Sequence, residues 1–452
     1  MVLKHSLWRS LRHWAFKGAV VVVIAIVGIG GLLVSQGFMK LHKVFRGTTG
    51  TAAALRANVD PSLLKGEGDG RINVLLLGRG GGNHDGPDLT DTMMLASIDP
   101  VNHTSVLVSI PRDLWVQVNG SAMKINAAWE TGEFQYEHKV APGSNDPKAI
   151  QAGFNTVDQV VENVLGINIH YNVLVDFQAF QQAVDTVGGV TVNVPTDLVD
   201  PTMAWENANN PVLAKAGIQN FDGKHALIYV RSRETTSDFA RGLRQRSVLM
   251  ALKAKVDTLG TLSNPIKLAD LMNTFGNNVQ TDLSLSDAAR LYSIVKGIGD
   301  SATTSTGFTD PPNSFVTTAA VNNQSTVQPK AGMFNFTDIQ NFMKTQLKDG
   351  YIVKENAKVL VLNGTTLPGF ASAKAAVLKQ YGYNVIATSS TPNTGWTQTT
   401  LIDLSGGRDK YTRHYLEQRF NVQAQTSMPD NTIQTQGADF VIILGSDEAG
   451  TQ

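Results

Sequence analysis

The seven residues Ile72 to Gly78, INVLLLG, form a nearly continuous apolar run closed by glycine. A strand with one face in water alternates polar with apolar, so a run without alternation suits a strand buried on both faces. MMLASID (Met93 to Asp99) and SVLVSIP (Ser105 to Pro111) flank the polar turn Pro100 to His103 and read as a hairpin. Helical spacing follows over Phe154 to Leu165 and Phe180 to Val187. Strands are expected at Tyr171 to Phe177, Val190 to Pro195 and Ala226 to Val230. Such a mixture indicates a layered α/β domain rather than a helical bundle.

The chain of 452 residues has room for two or three domains. Its first part is of a different kind. Gly18 to Phe38 runs 21 residues without a charge, enough as a helix rising about 1.5 Å per residue to span the roughly 30 Å hydrocarbon core. The run exceeds the length of a signal-peptide core, and Lys40, Lys43 and Arg46 follow it directly, so an uncleaved anchor is expected. Lys4, Arg9, Arg12 and Lys17 precede it, which puts residues 1–17 in the cytoplasm and the body outside the cell membrane. Residues 39–70, small and polar from Gly47 on, read as a stalk. The main domain is then expected over 71–350, with a linker-like stretch at 300–329 rich in Ser, Thr, Asn and Pro and a short strand near Ser314 to Ala320. Beyond Tyr351 the pattern restarts: strand KVLVLNGT, helix Ala371 to Tyr381, strand TTLIDLSG, helix Lys410 to Phe420, strand DFVIILG. That is a small second α/β domain, over 356–447.

Lysine plus arginine balance aspartate plus glutamate, 38 against 38, so no global basic field points to a nucleic-acid partner. The absence of cysteine excludes disulfides, thiol catalysis and Cys-based zinc sites. No Ser-His-Asp order or His-Glu-x-x-His pattern occurs, and the nine histidines do not cluster at ligand spacing. The loop GRGGGNHDG (Gly78 to Gly86) follows a buried strand, where phosphate-cradling loops sit. It fails the dinucleotide fingerprint because Asn83 occupies the third glycine's place, and no Gly-Lys-Ser/Thr makes it a P-loop. Asp85, Asp88 and Asp91 offer oxygens suited to a hard cation such as Mg²⁺, although each alone also fits a turn or strand end. Arg112 ends a second apolar strand, and Lys124 reads as solvated.

The densest signal is YVRSRETTSDFARGLRQR, Tyr229 to Arg246. On an extended strand end Arg231 and Arg233 face the same way. In the helix that follows, Arg241 and Gln245 share a stripe with Val248, Leu252, Val256 and Leu259, so both point inward. Guanidinium forks beside free backbone N–H groups suit a phosphate or pyrophosphate. The alternative is a solvated basic helix start paired with Glu234 and Asp238.

These segments, taken in order, resemble the LytR-CpsA-Psr family of membrane-anchored cell-wall enzymes. NVLLLG, DTMMLASIDP, VSIPRDLWV, KINAAW, GINIHYNVLVDFQAF, VGGVTVNVP and FDGKHALIYVRSR with DFARGLRQR carry the resemblance over residues 71–345. The tail from Lys358 to Asp447 is similar to the small LytR C-terminal domain appended to such proteins. The resemblance implies a three-layer α/β/α fold around a mixed sheet, with a groove for a polyprenyl chain. It implies transfer of a glycopolymer from a polyprenyl pyrophosphate carrier to peptidoglycan, assisted by Mg²⁺. The pyrophosphate-ligand role then falls on Arg112, Arg231, Arg233 and Arg241, the Mg²⁺ site on Asp91, and Asp238 and Gln245 join the pocket. Arg244 and Arg246 lie off the stripe and are expected in solvent. Two positions depart from the family pattern: Arg79-Gly80 stands where an aspartate is usual, and Leu89 where an arginine is usual. Asp85, Asp88 or His84 could replace the first and Arg79 the second if the glycine loop folds back. The rival readings are a non-catalytic lipid-binding scaffold and a polyprenyl pyrophosphatase.

Overall fold

The computed structural model describes residue 47 and residues 52–82, 86–136, 146–232, 238–259, 278–298, 302–308 and 313–450. The expected membrane helix at 18–38 lies outside them. Among the described residues no helix is long and apolar enough to cross a membrane. The chain divides into two compact units, a larger one holding 73–98 and 103–339 and a smaller one holding 52–72, 99–102 and the chain from 340 onward.

The larger unit is built on a mixed sheet of six strands: β1 (Ile72–Arg79), β2 (Thr90–Asp99), β3 (Thr104–Ser109), and then, past a β4 (Trp115–Val118) and β5 (Ser121–Lys124) hairpin, β6 (Tyr171–Asp176). The remaining strands of this unit are β7 (Val190–Val194), β8 (Leu198–Val199), β9 (Val212–Ala214), β10 (Gly217–Phe221), β11 (Val279–Thr281) and β12 (Thr303–Gly307), with the hairpin β13 (Val316–Val321) and β14 (Gln324–Pro329). The sheet order is β11-β6-β1-β2-β3-β12, with β1 parallel to β6, β12 parallel to β3 and β11 antiparallel to β6. In β1 only Gly78 is not fully buried, as the unbroken apolar run requires. In the linker-like stretch the strand expected near Ser314 to Ala320 is present as β13, but Thr303–Gly307 is not linker: it is an edge strand of the main sheet. Threonine is polar in composition but β-branched, and it fits a pleated edge.

Helices cover this sheet: α1 (Ala128–Tyr136), α2 (Pro147–Leu165), α3 (Phe177–Thr186), α4 (Gly223–Arg231), α5 (Asp238–Leu259) and α6 (Leu285–Lys296). In α2, Asp146 caps the first turn ahead of Pro147, and Gly166 ends it in the left-handed region at φ 69°. Its buried face, Ile150, Phe154, Val157, Val161 and Val164, keeps the helical spacing. The strand expected at Ala226 to Val230 is instead α4. Asp222 accepts a hydrogen bond from His225 N at 2.8 Å and nucleates a helix whose residues Ala226 to Val230 are all buried. A five-residue apolar run carries no period of its own, so the cap decides between strand and helix.

The smaller unit holds β15 (Lys358–Asn363), β16 (Asn384–Ser390), β17 (Thr400–Asp403) and β18 (Phe440–Leu444) in the order β16-β15-β18-β17. Helices α7 (Gly350–Glu355), α8 (Phe370–Tyr381) and α9 (Lys410–Phe420) pack with them, and a further helix, Thr337–Gln346, straddles the boundary between the units. Residues 52–70 belong to this unit and are no extended stalk: Val59 and Leu64 are buried in its core with Val359, Leu378, Tyr415 and Phe440.

Candidate active site

A cavity of about 310 Å³ opens in the larger unit. Its apolar lining comes from β1 and β6 (Leu76, Leu77, Val173, Val175), from α3 (Phe177, Phe180, Ala183) and from Met94, Leu227, Val230 and Leu252. The polar part of the lining comprises Asp91, Thr92, Arg112, Asp176, Asp200, Thr202, Arg231, Arg241 and Gln245.

Arg112 lies just past β3. Its Nη1 meets Asp91 Oδ1 at 2.7 Å, and Asn126 Nδ2 donates to the same oxygen at 3.1 Å. Asn126 also donates its backbone N–H to Arg112 O at 3.2 Å, so one buried amide ties the strand ends together. Sequence reasoning stopped at Lys124 in this motif. Lys124 is not simply solvated, since it pairs with Asp113 at 2.7 Å, and Asp113 also lies 3.5 Å from Arg112 Nε.

Arg231 reaches the cavity from the last turn of a helix, not from a strand end. Its Nη1 donates to both oxygens of Glu206 at 3.0 and 2.9 Å, and its guanidinium sits 4.7 Å from the Phe177 ring. Helical phase is upheld on α5: Arg241 is 7% exposed, Val248 and Leu252 are buried, and Gln245 Nε2 donates to Thr92 Oγ1 at 2.9 Å. Arg244 contradicts the solvated reading. It is 8% exposed, donates Nε to Tyr229 O at 2.9 Å and Nη2 to Ser232 O, and burial pulls its pKa down. Arg233 and the side chains of Asp238, Arg246, Val256 and Leu259 lie outside the described residues.

The acidic loop differs from expectation. Asp85 and His84 lie outside the described residues. Asp88 is 1% exposed and bound to Arg79 Nη1 at 2.7 Å, while the Arg79 guanidinium lies 5.0 Å from the Trp129 ring. Neither lines the cavity. Arg79 is buried at the end of β1, where an unpaired charge is costly, so it takes the nearest carboxylate. The loop does fold back, with Gly81 N donating to Pro87 O at 2.8 Å. It thereby pairs the two candidate replacements with each other. Among the described residues no group of three or more acidic or histidine side chains is arranged to hold a metal. The carboxylates that line the cavity are instead Asp91, Asp176 and Asp200. Burial raises the Asp176 pKa while its Oδ1 caps α3 through Ala179 N. For Asp91, both contacts fall on Oδ1, and among the described residues nothing bonds its second oxygen. Asp176 caps a helix and Asp200 is held by Thr202 and Ser232, so Asp91 is the cavity carboxylate that best fits Mg²⁺, in the mode that takes its other ligands from substrate phosphates and water. The site does not fit a cage of three aspartates.

Fold and site together define a mixed-sheet α/β protein that gathers guanidinium groups against an apolar cavity. The model of the LytR_cpsA_psr family matches residues 40–334, and that of the LytR cell envelope-related transcriptional attenuator matches residues 356–447. The first spans more than half of the chain, and the protein belongs to the LytR-CpsA-Psr family. Among its relatives is the polyisoprenyl-teichoic acid–peptidoglycan teichoic acid transferase TagU of Oceanobacillus iheyensis, 31% identical over 315 residues, which are 66% of this chain and 85% of that protein. The cell wall biosynthesis protein LcpA of Corynebacterium glutamicum is 26% identical over 381 residues, 80% of this chain and 70% of that protein. Similar solved structures include TagT bound to LIIa-WTA, at 26% identity and a TM-score of 0.48 over 68% of this chain and 98% of that one. The crystal structure of B. subtilis TagV gives 26% identity and a TM-score of 0.46 over 61% and 97%.

Proposed function

We propose that this protein is a membrane-anchored phosphotransferase that moves a glycopolymer from a polyprenyl pyrophosphate carrier to peptidoglycan. The observation that carries the reading is chemical. Arg112, Arg231 and Arg241 line the same cavity as a long run of aliphatic and aromatic side chains, which suits a diphosphate joined to a hydrocarbon tail. Relatives named polyisoprenyl-teichoic acid–peptidoglycan teichoic acid transferases support the transfer of a polyisoprenyl-linked polymer to peptidoglycan. Residues 18–38 would anchor the chain with its body on the outer side of the cell membrane, where peptidoglycan lies.

In this scheme the three arginines hold the pyrophosphate, with Arg233 joining them by resemblance. Gln245, fixed on Thr92, adds an amide to the same wall. An acceptor hydroxyl attacks the glycosyl-side phosphorus, a new P–O bond forms, and the bond to the bridging oxygen breaks as polyprenyl phosphate leaves. The hydroxyl proton passes to a carboxylate; Asp238, which the resemblance puts in the pocket, would either take that proton or orient an arginine. Asp91 would hold Mg²⁺, which when bound supplies positive charge against the leaving phosphate.

The test is release of polyprenyl phosphate and labelling of peptidoglycan by the purified protein, with and without EDTA. Arg112→Ala and Arg231→Ala should each lower the rate by about 10²–10³, the weight of a charge-stabilising group, without shifting the melting temperature by more than a few degrees. Full turnover in both variants would refute the assignment. The Arg79–Asp88 pair removes one carboxylate from the metal side and favours a second reading, a non-catalytic carrier-lipid scaffold. Binding of the lipid without any release would establish that one.

A further inference from the structure

The end of α4 is where Arg231 enters the cavity, and three groups from outside the helix hold it. Ser232 is fully buried and its Oγ donates to Asp200 Oδ2 at 2.7 Å. Asp200, also fully buried, takes Thr202 N at 3.1 Å and Thr202 Oγ1 at 2.7 Å as well. Glu206 takes both contacts from Arg231. Arg244, on α5, spans the helix end: Nε reaches Tyr229 O at 2.9 Å and Nη2 reaches Ser232 O. The carbonyls of a final helical turn lack intrahelical partners and carry partial negative charge. A planar guanidinium can bind two of them at once, which the point-like ammonium of lysine cannot do in the same geometry. Arg244 does not line the cavity, whereas Arg231 and Arg241 do.

We infer that Arg244 is a positioning residue: by binding Tyr229 O and Ser232 O it fixes the end of α4 and thereby the aim of the Arg231 guanidinium. The inference rests on the proposed reading only in taking a diphosphate as the ligand of Arg231.

The experiment is a double-mutant cycle on the full chain in detergent, with farnesyl diphosphate as the probe and binding read by calorimetry. Arg244→Lys keeps the charge and should weaken binding about tenfold, the weight of one misaligned charge-assisted hydrogen bond. If Arg244 acts through Arg231, then Arg231→Ala combined with Arg244→Lys binds no more weakly than Arg231→Ala alone. Undiminished binding by Arg244→Lys, or losses that multiply in the double variant, would overturn the inference. Hydrogen exchange at the Val230 and Ser232 amides reads the same clamp without ligand. Exchange should quicken in Arg244→Lys, and an unchanged rate would overturn the inference. A parent protein that fails to bind farnesyl diphosphate refutes the functional reading instead, and exchange then decides the clamp. Should Arg244→Lys not fold, Arg244→Gln, which can retain one carbonyl contact, carries the same measurements.

Discussion

Asn172 stands between two carboxylates with no cation interposed by its own contacts. Its Nδ2 donates to Asp158 Oδ2 at 2.8 Å and to Asp282 Oδ2 at 2.9 Å, while its backbone N donates to Asp282 Oδ1 at 2.6 Å. Burial pushes the Asp158 carboxyl up to about 8 and Asp282 up to about 6. Asn172 opposes both shifts, and Asp282 and Glu162 add repulsion at Asp158. A raised folded-state pKa means that the folded chain holds a proton the unfolded chain has released. The associated stability is complete below the ordinary carboxylate range and is lost as pH rises through about 6 and then about 8. Urea unfolding should show stability falling by about 5–8 kcal/mol between pH 4 and pH 8.5 if both protons are held as described. Asp158→Asn, which keeps an acceptor for Asn172, should flatten that slope and be the more stable protein at pH 8. An unaltered slope would show the proton is held elsewhere. At this scale legibility depended on whether one helix sufficed. Arg241 and Gln245 were readable because the phase of α5 alone points them inward. Arg244 was not, because its burial is decided by the end of another helix that the sequence reading had drawn as a strand.

Among the elements, α1 and α2 cross where two glycines interlock. A Cβ on Gly132 would lie 2.3 Å from Thr156 Oγ1 and 2.6 Å from Ala152 O, and one on Gly153 would lie 2.7 Å from Trp129 Nε1. Backbone carbonyl and a fully buried tryptophan cannot give way cheaply. Gly132→Ala should therefore cost about 1–3 kcal/mol by overpacking, although alanine raises helix propensity. The matched control is Gly66→Ala, which meets nothing within 4 Å and should be close to neutral. Denaturant midpoints compare them, and equal midpoints would mean the helices separate without penalty. Long periodic elements such as α2 were legible in the sequence because cap, stripe and terminal glycine agree. The helix α4 and the edge strand β12 were not. The first shows in the sequence as a run of five apolar residues, Ala226 to Val230, too short to carry a period, and the second hides β-branched residues in a Ser/Thr-rich composition.

For the molecule as a whole, the least legible feature is the segment 52–70. Residues 52–70 look like a linker because they are small, polar and glycine-bearing, yet each anchor they use is a single residue. Tyr411 Oη donates to Val59 O at 2.8 Å, His414 Nε2 lies 2.8 Å from Leu64 O, and Gln418 Nε2 donates to Leu64 O at 3.1 Å. Glu67 pairs with Arg419 and accepts from Tyr383 Oη. Asp349, fully buried, accepts Gly68 N at 3.0 Å and Gly70 N at 2.9 Å while Tyr415 Oη donates to the same oxygen at 3.0 Å. All of these partners lie beyond residue 346, so residues 52–70 depend on the last hundred or so residues of the chain. Deleting 347–452 removes every one of them and exposes Val59 and Leu64 to water. Local opening of 52–70 then costs little, and trypsin should cut after the exposed Arg56 and Lys65 much faster than in the full chain. Mass spectrometry of a digestion time course locates the cuts. Equal protection of both sites in the shortened chain would mean that 52–70 folds on other contacts, and that the residues beyond 346 do not hold it in place.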